Sequence, residues 1–242
     1  MTQIIDTLDL DQQLQGQSPH QVIRYALETF DNIAISFSGA EDVVLIDMAS
    51  RIRPDAPVFT LDTGRLHAET YEFIERVRKH YGIQIDVLSP DGEAVRQMVT
   101  AKGLFSFYED THKECCGIRK IQPLRKKLHT LDAWITGQRK DQSPGTRTGI
   151  PVIQDDRNFA RTGATLTKFN PLANWSSQQV WDYIRAYEVP YNPLHERGFI
   201  SIGCEPCTRP INPGQHEREG RWWWEDETKK ECGLHESNLL GE

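Results

Sequence analysis

The chain has 242 residues, of which 38% are hydrophobic, and a formal net charge of −7. That length allows one large domain or two small ones, and a single α/β domain with a C-terminal extension fits it well. The acidic balance argues against a dedicated nucleic-acid binder, and no apolar run approaches the length that spans a membrane. The first Lys or Arg is Arg24, so no secretory signature is visible and a cytoplasmic location is expected.

Residues 1–17 are polar and read as a poorly ordered N-terminal arm, or as an arm on a partner subunit. Ser18-Pro19-His20-Gln21 has the form of a capping box with proline at the first helical position. Val22, Ile23, Ala26, Leu27 and Phe30 then make one apolar stripe, which predicts an amphipathic helix. Asn32 to Phe37 reads as a buried strand that runs into Ser38-Gly39-Ala40-Glu41-Asp42 and an apolar helix from Val43 to Ile52. Strand, small-residue turn and helix is the arrangement that aims backbone N–H groups and a positive helix end at an anion. The turn lacks the Gly-Lys-Ser/Thr ending of a Walker loop and the spacing of a dinucleotide loop, and an ordinary βα turn would read the same way.

Val58 to Leu61 is a second strand, ending in Asp62-Thr63-Gly64-Arg65, and a helix follows from about His67 to His80. Open α/β sheets place their ligand contacts at such strand ends. Ile83 to Leu88 and Gly92 to Lys102 continue as strand and helix, so the series predicts a doubly wound, mostly parallel sheet. A helix opens at Glu114-Cys115-Cys116-Gly117-Ile118-Arg119-Lys120 and runs to about His129. After a strand at Trp134-Ile135-Thr136 comes a loop from Gly137 to Arg147, rich in glycine, polar residues and cations, of the type that clamps phosphate or sulfate. Leu166 to Leu172 holds a short final strand, and Ser176-Ser177-Gln178-Gln179 is a second capping box whose helix stops before Pro190. Beyond Pro213 the chain is highly charged apart from Trp222-Trp223-Trp224, which cannot all face one core.

Of the five cysteines, four form the pairs Cys115-Cys116 and Cys204-Glu205-Pro206-Cys207, and Cys232 stands alone. In a reducing compartment they are expected to be ligands or catalysts rather than disulfides. Four thiolates brought together suit zinc or an iron–sulfur cluster, which leaves the fifth free as a nucleophile.

In order, Ser36-Phe37-Ser38-Gly39-Ala40-Glu41-Asp42, Leu61-Asp62-Thr63-Gly64-Arg65, the two cysteine pairs, the loop ending at Arg147 and Glu231-Cys232-Gly233-Leu234-His235 together resemble the assimilatory sulfonucleotide reductases. The likeness runs from about residue 20 to residue 236 and is to the branch that carries an iron–sulfur cluster and reduces adenosine 5′-phosphosulfate. The first signature is also a variant of the loop of ATP-using ligases and thiolases, with Ala40 and Val43 where those have Gly and Ser, which speaks against ATP hydrolysis. The resemblance implies a nucleotide α-hydrolase-like, Rossmann-like fold over residues 18–208 and a mobile segment, residues 209–242, carrying the nucleophile. It implies a [4Fe-4S] cluster on Cys115, Cys116, Cys204 and Cys207. Adjacent cysteines can both reach one cluster only through local distortion of the chain. Ser36–Asp42 and Leu61–Arg65 would contact the nucleotide, while Arg119, Lys120, Arg147, Arg218 and Arg221 neutralise its anionic groups. Lys120, one helical turn beyond Cys116, would link cluster and substrate electrostatically. Cys232 would attack the sulfuryl sulfur, with His235 orienting the sulfuryl oxygens or helping the thiol ionise, and thioredoxin would release sulfite. A homo-oligomer is implied as well.

Three other readings compete. A reductase specific for the 3′-phosphorylated nucleotide usually lacks the two cysteine pairs, and a reductase of dual specificity is a variant of the same reading. A tRNA-thiolating enzyme needs an intact ATP loop and a basic surface. A zinc-bearing structural module would use the same four cysteines.

Overall fold

The computed structural model describes residues 7–142 and 147–225. The polar N-terminus is not a loose arm over its whole length. Thr7–Leu14 forms helix α1, whose Leu10 and Leu14, one turn apart, are buried in the main core. Helix α2 (Pro19–Thr29) starts at the expected capping box: Ser18 caps the Gln21 N–H, and the Gln21 side chain accepts from the Ser18 N–H at 2.9 Å.

Alternation of strand and helix then builds the sheet. In chain order come β1 (Ile33–Phe37), α3 (Ala40–Ser50), β2 (Val58–Leu61), α4 (Ala68–Tyr81), β3 (Ile85–Leu88) and α5 (Gly92–Lys102). They are followed by α6 (His112–Cys116), a π-helical turn (Gly117–Ile121), α7 (Gln122–Leu128) and β4 (Ala133–Ile135). The chain continues through β5 (Ile153–Asp155), β6 (Thr167–Phe169) and α8 (Ser177–Ala186). Among the described residues these strands form one six-stranded sheet in the order β3-β2-β1-β4-β6-β5, parallel except for β5. The sequence reading contains no counterpart of β5. It is three residues long, only Ile153 is buried, and it pairs antiparallel at the sheet edge, where α1 covers it through a bond from Ile153 N to Asp11 Oδ1 at 3.0 Å.

Side-chain alternation sorts the sheet into two cores. Ile33, Ile35 and Phe37 of β1, Val58 of β2 and Ala133 and Ile135 of β4 face the core shared with α2, α3 and α8. Ala34, Phe59 and Trp134 face the opposite core, with Leu124 and Leu128 of α7. A buried carboxylate fastens the first layer: Asp47 of α3 accepts from Tyr183 Oη at 2.6 Å and Tyr81 Oη at 3.2 Å. Because β1 pairs with β2 on one side and β4 on the other, connections leave it in opposite directions, which opens a crevice at the carboxyl ends of these strands. Among the described residues no helix is long and apolar enough to cross a membrane.

Candidate active site

The crevice holds a cavity of about 210 Å³. Its floor is the end of β1 (Ser36, Phe37), the turn Ser38-Gly39 and the first residues of α3, flanked by Thr60 and Leu61 of β2 and by Thr136 and Gly137 beyond β4. The turn is organised by Asp42. Its Oδ2 accepts from Ser38 N at 2.8 Å, Ser38 Oγ at 2.8 Å and Gly39 N at 2.9 Å, and its Oδ1 accepts from Gly137 N at 2.9 Å. One side chain thus stitches the β1 turn to the β4 turn. Gly137 is required by this closeness: a Cβ there would lie 2.5 Å from Asp42 Oδ1 and 2.7 Å from Glu41 Cβ. Burial, followed by the Glu41 charge, pushes the Asp42 carboxyl up to about 6, against the bonds from Ser38 and Gly39. Burial also pushes Glu41 up, but the Arg139 charge and hydrogen bonds from Arg139 and Gln142 outweigh it, and its pKa is lowered. Arg139 Nη2 donates to Glu41 Oε1 at 2.9 Å and to Glu217 Oε2 at 3.1 Å.

Asp42 already occupies the Ser38 and Gly39 N–H groups, so an anion in this cavity needs cations from elsewhere. They come from the opposite wall, built by residues 200–222. Trp222 is fully buried, and three cations surround its ring: Arg221 at 4.5 Å from the centroid, Lys120 at 5.7 Å and Arg218 at 5.8 Å. Arg221 fits because residue 203 is glycine, whose Cβ would stand 2.4 Å from the Arg221 Nη2. Arg147 lines the same cavity and donates to Gln142 Oε1. Among the described residues, then, Lys120, Arg147, Arg218 and Arg221 face the cavity together with Ser36 to Asp42, Leu61 and Thr63.

Behind Lys120 lies a second, small space bounded by Cys115, Cys116, Cys204, Cys207, Arg65, Phe107, His112 and Arg119. None of the four cysteines forms a disulfide among the described residues. The helix carrying the adjacent pair does not continue as a regular α-helix: Cys116 is followed at once by the π-helical turn, which rotates what comes after it relative to an unbroken helix. Both cysteines themselves lie in the α-helical segment His112–Cys116, and the irregular turn begins only after them. Polar contacts converge on the cysteine space. Thr63 Oγ1 lies 3.2 Å from Cys204 Sγ, and Arg119 Nη1 donates to the Thr63 carbonyl at 2.7 Å. Burial pushes the Cys204 thiol up, but Lys120, the Thr63 hydrogen bond, Arg221 and Arg119 outweigh it and its pKa is lowered. Cys207 goes the other way, to about 12, through burial and then the Cys204 charge, and burial likewise raises Cys115. Among the described residues no group of three or more His, Cys, Asp or Glu is arranged to hold a single metal ion. The donor set still fits a cluster. Four cysteines outside any disulfide bound one small space, and Arg65, Arg119 and Lys120 around it offset thiolate charge.

Not every expected residue meets this cavity. Asp62 turns away, accepting from Tyr71 Oη at 2.7 Å and Gly64 N at 2.8 Å, and Arg65 packs over the rings of Phe105 and Phe107. Arg119 belongs to the cysteine space. Cys232, His235 and Ser143 to Thr146 lie outside the described residues. Sequence reasoning overlooked His112 and Glu225. His112, 1% exposed, stacks on Trp222 at 4.2 Å and pairs through Nδ1 with Glu225 Oε2 at 2.7 Å. With Trp224 packed on Phe107, this pair fastens the segment after Pro213 onto the cysteine lobe. A lone His and a lone Glu separated by 113 positions carry no signal in a sequence.

Residues 32–210 match the family described as the phosphoadenosine phosphosulfate reductase domain. The chain is 59% identical over 241 residues to an adenosine 5′-phosphosulfate reductase of Pseudomonas aeruginosa (strain LESB58), covering 99% of this chain and 90% of that protein. It is 54% identical over 243 residues to the chloroplastic 5′-adenylylsulfate reductase 1 of Arabidopsis thaliana, of whose length it spans 52%. Among solved structures, phosphoadenylyl-sulfate reductase from Candida auris in a phosphate complex superposes with a TM-score of 0.71 at 28% identity, over 84% of this chain and 96% of that one. Yeast FAD synthetase with FAD bound shares the fold alone, with a TM-score of 0.53 at 15% identity, over 96% of this chain and 93% of that one.

Proposed function

This chain belongs to the phosphoadenosine phosphosulfate reductase family, and from that premise we propose that it reduces adenosine 5′-phosphosulfate to sulfite and AMP in sulfate assimilation, with thioredoxin as reductant. One observation carries the reading beyond the family likeness. A cavity walled by four cations shares Lys120 with a space bounded by four cysteines that form no disulfide. The cavity suits a nucleotide whose tail is strongly anionic, because three of its four cations gather around Trp222.

The chemistry needs a thiolate and positive charge, not a general acid, because AMP leaves as an anion. The Cys232 thiolate attacks the sulfuryl sulfur, an S–S bond forms, and the bond from that sulfur to the phosphate oxygen breaks. The products are a Cys232 S-sulfonate and AMP. A thiolate of thioredoxin then attacks the Cys232 sulfur and expels sulfite. Its second thiol resolves the mixed disulfide, so the two electrons come from the thioredoxin dithiol. Lys120, Arg147, Arg218 and Arg221 hold the sulfuryl and phosphoryl oxygens and lower the cost of bringing a thiolate to an anion. His235, three residues beyond the nucleophile, orients the sulfuryl oxygens or assists thiol ionisation.

Cys115, Cys116, Cys204 and Cys207 would hold a [4Fe-4S] cluster, which supplies an electrostatic anchor for Lys120 and the substrate rather than a store of electrons. Thiols bounding a space suit the four corners of a cluster better than the single point required by tetrahedral zinc. The unphosphorylated nucleotide is preferred over the 3′-phosphorylated one, in keeping with 59% identity to a protein named for the former and 28% to one named for the latter. A cytoplasmic homo-oligomer completes the reading.

The deciding experiment is anaerobic intact-protein mass spectrometry with adenosine 5′-phosphosulfate and no reductant, beside Cys232→Ser. One sulfonate adduct on the unsubstituted chain, absent from the variant and released as sulfite by thioredoxin, is expected. A chain that retains iron and sulfide yet forms no adduct would refute the covalent mechanism.

A further inference from the structure

One half-buried polar side chain on the cavity wall has no part in the reaction as proposed. His195 stands in the short 3-10 turn Pro193–Arg197, where it contributes both to the nucleotide cavity and to a separate open groove beside Trp181 and Tyr191. The turn is held firmly. Asn192 Oδ1 accepts from Leu194 N at 3.0 Å, Asn192 Nδ2 donates to Thr70 Oγ1 at 3.1 Å, and the imidazole lies edge-on to Trp181 with centroids 5.0 Å apart. Both ring nitrogens are buried and, among the described residues, neither makes a hydrogen bond. The Phe199 backbone approaches the ring without reaching ordinary hydrogen-bond geometry. Burial keeps the pKa of this histidine below its usual value, so the ring is neutral at neutral pH, with one nitrogen a donor and the other an acceptor.

Buried ring nitrogens without hydrogen bonds destabilise the chain unless something else binds them. The position of His195 says what that is. The cations suited to sulfuryl and phosphoryl oxygens gather around Trp222, whereas the charge acting on His195 is the Glu41 carboxylate. In a cavity it shares with the Glu41 carboxylate, a neutral ring that both donates and accepts matches a hydroxyl, which also does both, and not a further anion. Resting on the adenosine 5′-phosphosulfate reading above, we propose that His195 hydrogen-bonds a ribose hydroxyl of the bound nucleotide. The contact belongs to the AMP portion, so it is made with substrate and product alike. A phosphate in place of that hydroxyl would meet Glu41 and an uncharged ring.

Calorimetric binding to the cluster-loaded chain tests this, with AMP and 2′,3′-dideoxy-AMP as ligands. The unsubstituted chain should bind AMP about tenfold more tightly than the dideoxy compound, the worth of one neutral hydrogen bond inside a cavity. In His195→Phe that preference should collapse to within about twofold, while the unfolding temperature stays level or rises because an unsatisfied polar group has gone. A purely structural histidine would show the reverse: lower stability and an unchanged preference. His195→Phe keeping the tenfold preference overturns the proposal. If that variant does not fold, the ring can be followed directly in the unsubstituted chain labelled with ¹⁵N-histidine, its signal assigned from its loss in His195→Gln. The ring nitrogens of His195 should shift with AMP more than with dideoxy-AMP, and equal shifts overturn the assignment. A chain that binds no AMP and forms no Cys232 adduct sinks the substrate reading and this inference with it. A chain that does both, with discrimination independent of His195, sinks this inference alone.

Discussion

At the scale of single residues, two buried side chains govern the cavity from opposite walls. Lys120 stands between the cysteine space and the nucleotide cavity, 5.7 Å from the Trp222 centroid. Lys120→Ala removes a charge-assisted contact to the substrate, so formation of the Cys232 adduct should slow by roughly 10–100-fold. Quenched-flow mass spectrometry measures this, and an unchanged rate refutes the coupling. Asp42 makes a different kind of prediction. Its folded pKa of about 6 exceeds the model-peptide value of 3.8, so between these values the folded chain holds a proton that the unfolded chain has lost. Stability from this group is full below the lower value, declines as pH rises through the interval and is flat above about 6. In Asp42→Asn that titration is gone. Urea unfolding from pH 4 to 7 should therefore show the stability of the unsubstituted chain falling relative to the variant by up to about 3 kcal/mol before it levels off. A constant difference across that range would show that Asp42 keeps an ordinary pKa.

At the scale of elements, the site depends on how closely two turns approach. The β1 turn and the β4 turn meet through Asp42 and Gly137, with no room for a Cβ at residue 137. Gly137→Ala forces the turns apart. It should lower stability by roughly 1–3 kcal/mol and weaken AMP binding in the same variant. A full-strength AMP isotherm would show that the turns are free to separate without harm. The same logic explains the π-helical turn after Cys116. The wider turn changes the helical phase of Lys120, which lies inside it, relative to the cysteine pair that precedes it. Helix α1 teaches a related lesson. Its stretch is polar in composition, but two leucines one turn apart and a covered sheet edge are enough to hold it on the body.

At the scale of the whole molecule, two distant segments close over the sheet. Residues 106–121 and 204–225 meet through Phe107, Cys116, Cys204, Cys207 and Trp222, a small core separate from the two that flank the sheet. A cluster bound by one cysteine pair from each segment would cross-link them, as structural metal sites do. Anaerobic removal of iron should then lower the unfolding temperature by on the order of 5 °C, equivalent to roughly 1–2 kcal/mol for a chain of this size. Amide hydrogen exchange should rise in residues 204–225 while β1 and β4 stay protected. Uniform loss of protection would mean that the lobe and the sheet unfold as one unit.

Local chemistry made much of this legible in the sequence. Apolar periodicity and capping boxes are short-range properties, so the helices starting at Pro19 and Ser177, the strands β1 and β2, and the parallel α/β class are readable from neighbours alone. The cysteine pairs and the cations are readable too, because their residue types are scarce and their spacing is distinctive. Arrangement in space was not. That Asp62 and Arg65 turn away while Thr63 faces Cys204 depends on Tyr71 and Phe107, which no spacing connects to them. The partnership of His112 with Glu225, the gathering of Lys120, Arg218 and Arg221 around one indole, and the unsatisfied nitrogens of His195 all arise from packing between segments far apart in the chain. Sequence pattern determines which groups are available and which local backbone carries them. Only the folded chain decides which of them share a cavity, because burial and long-range contact are properties of the whole packing and not of any stretch within it.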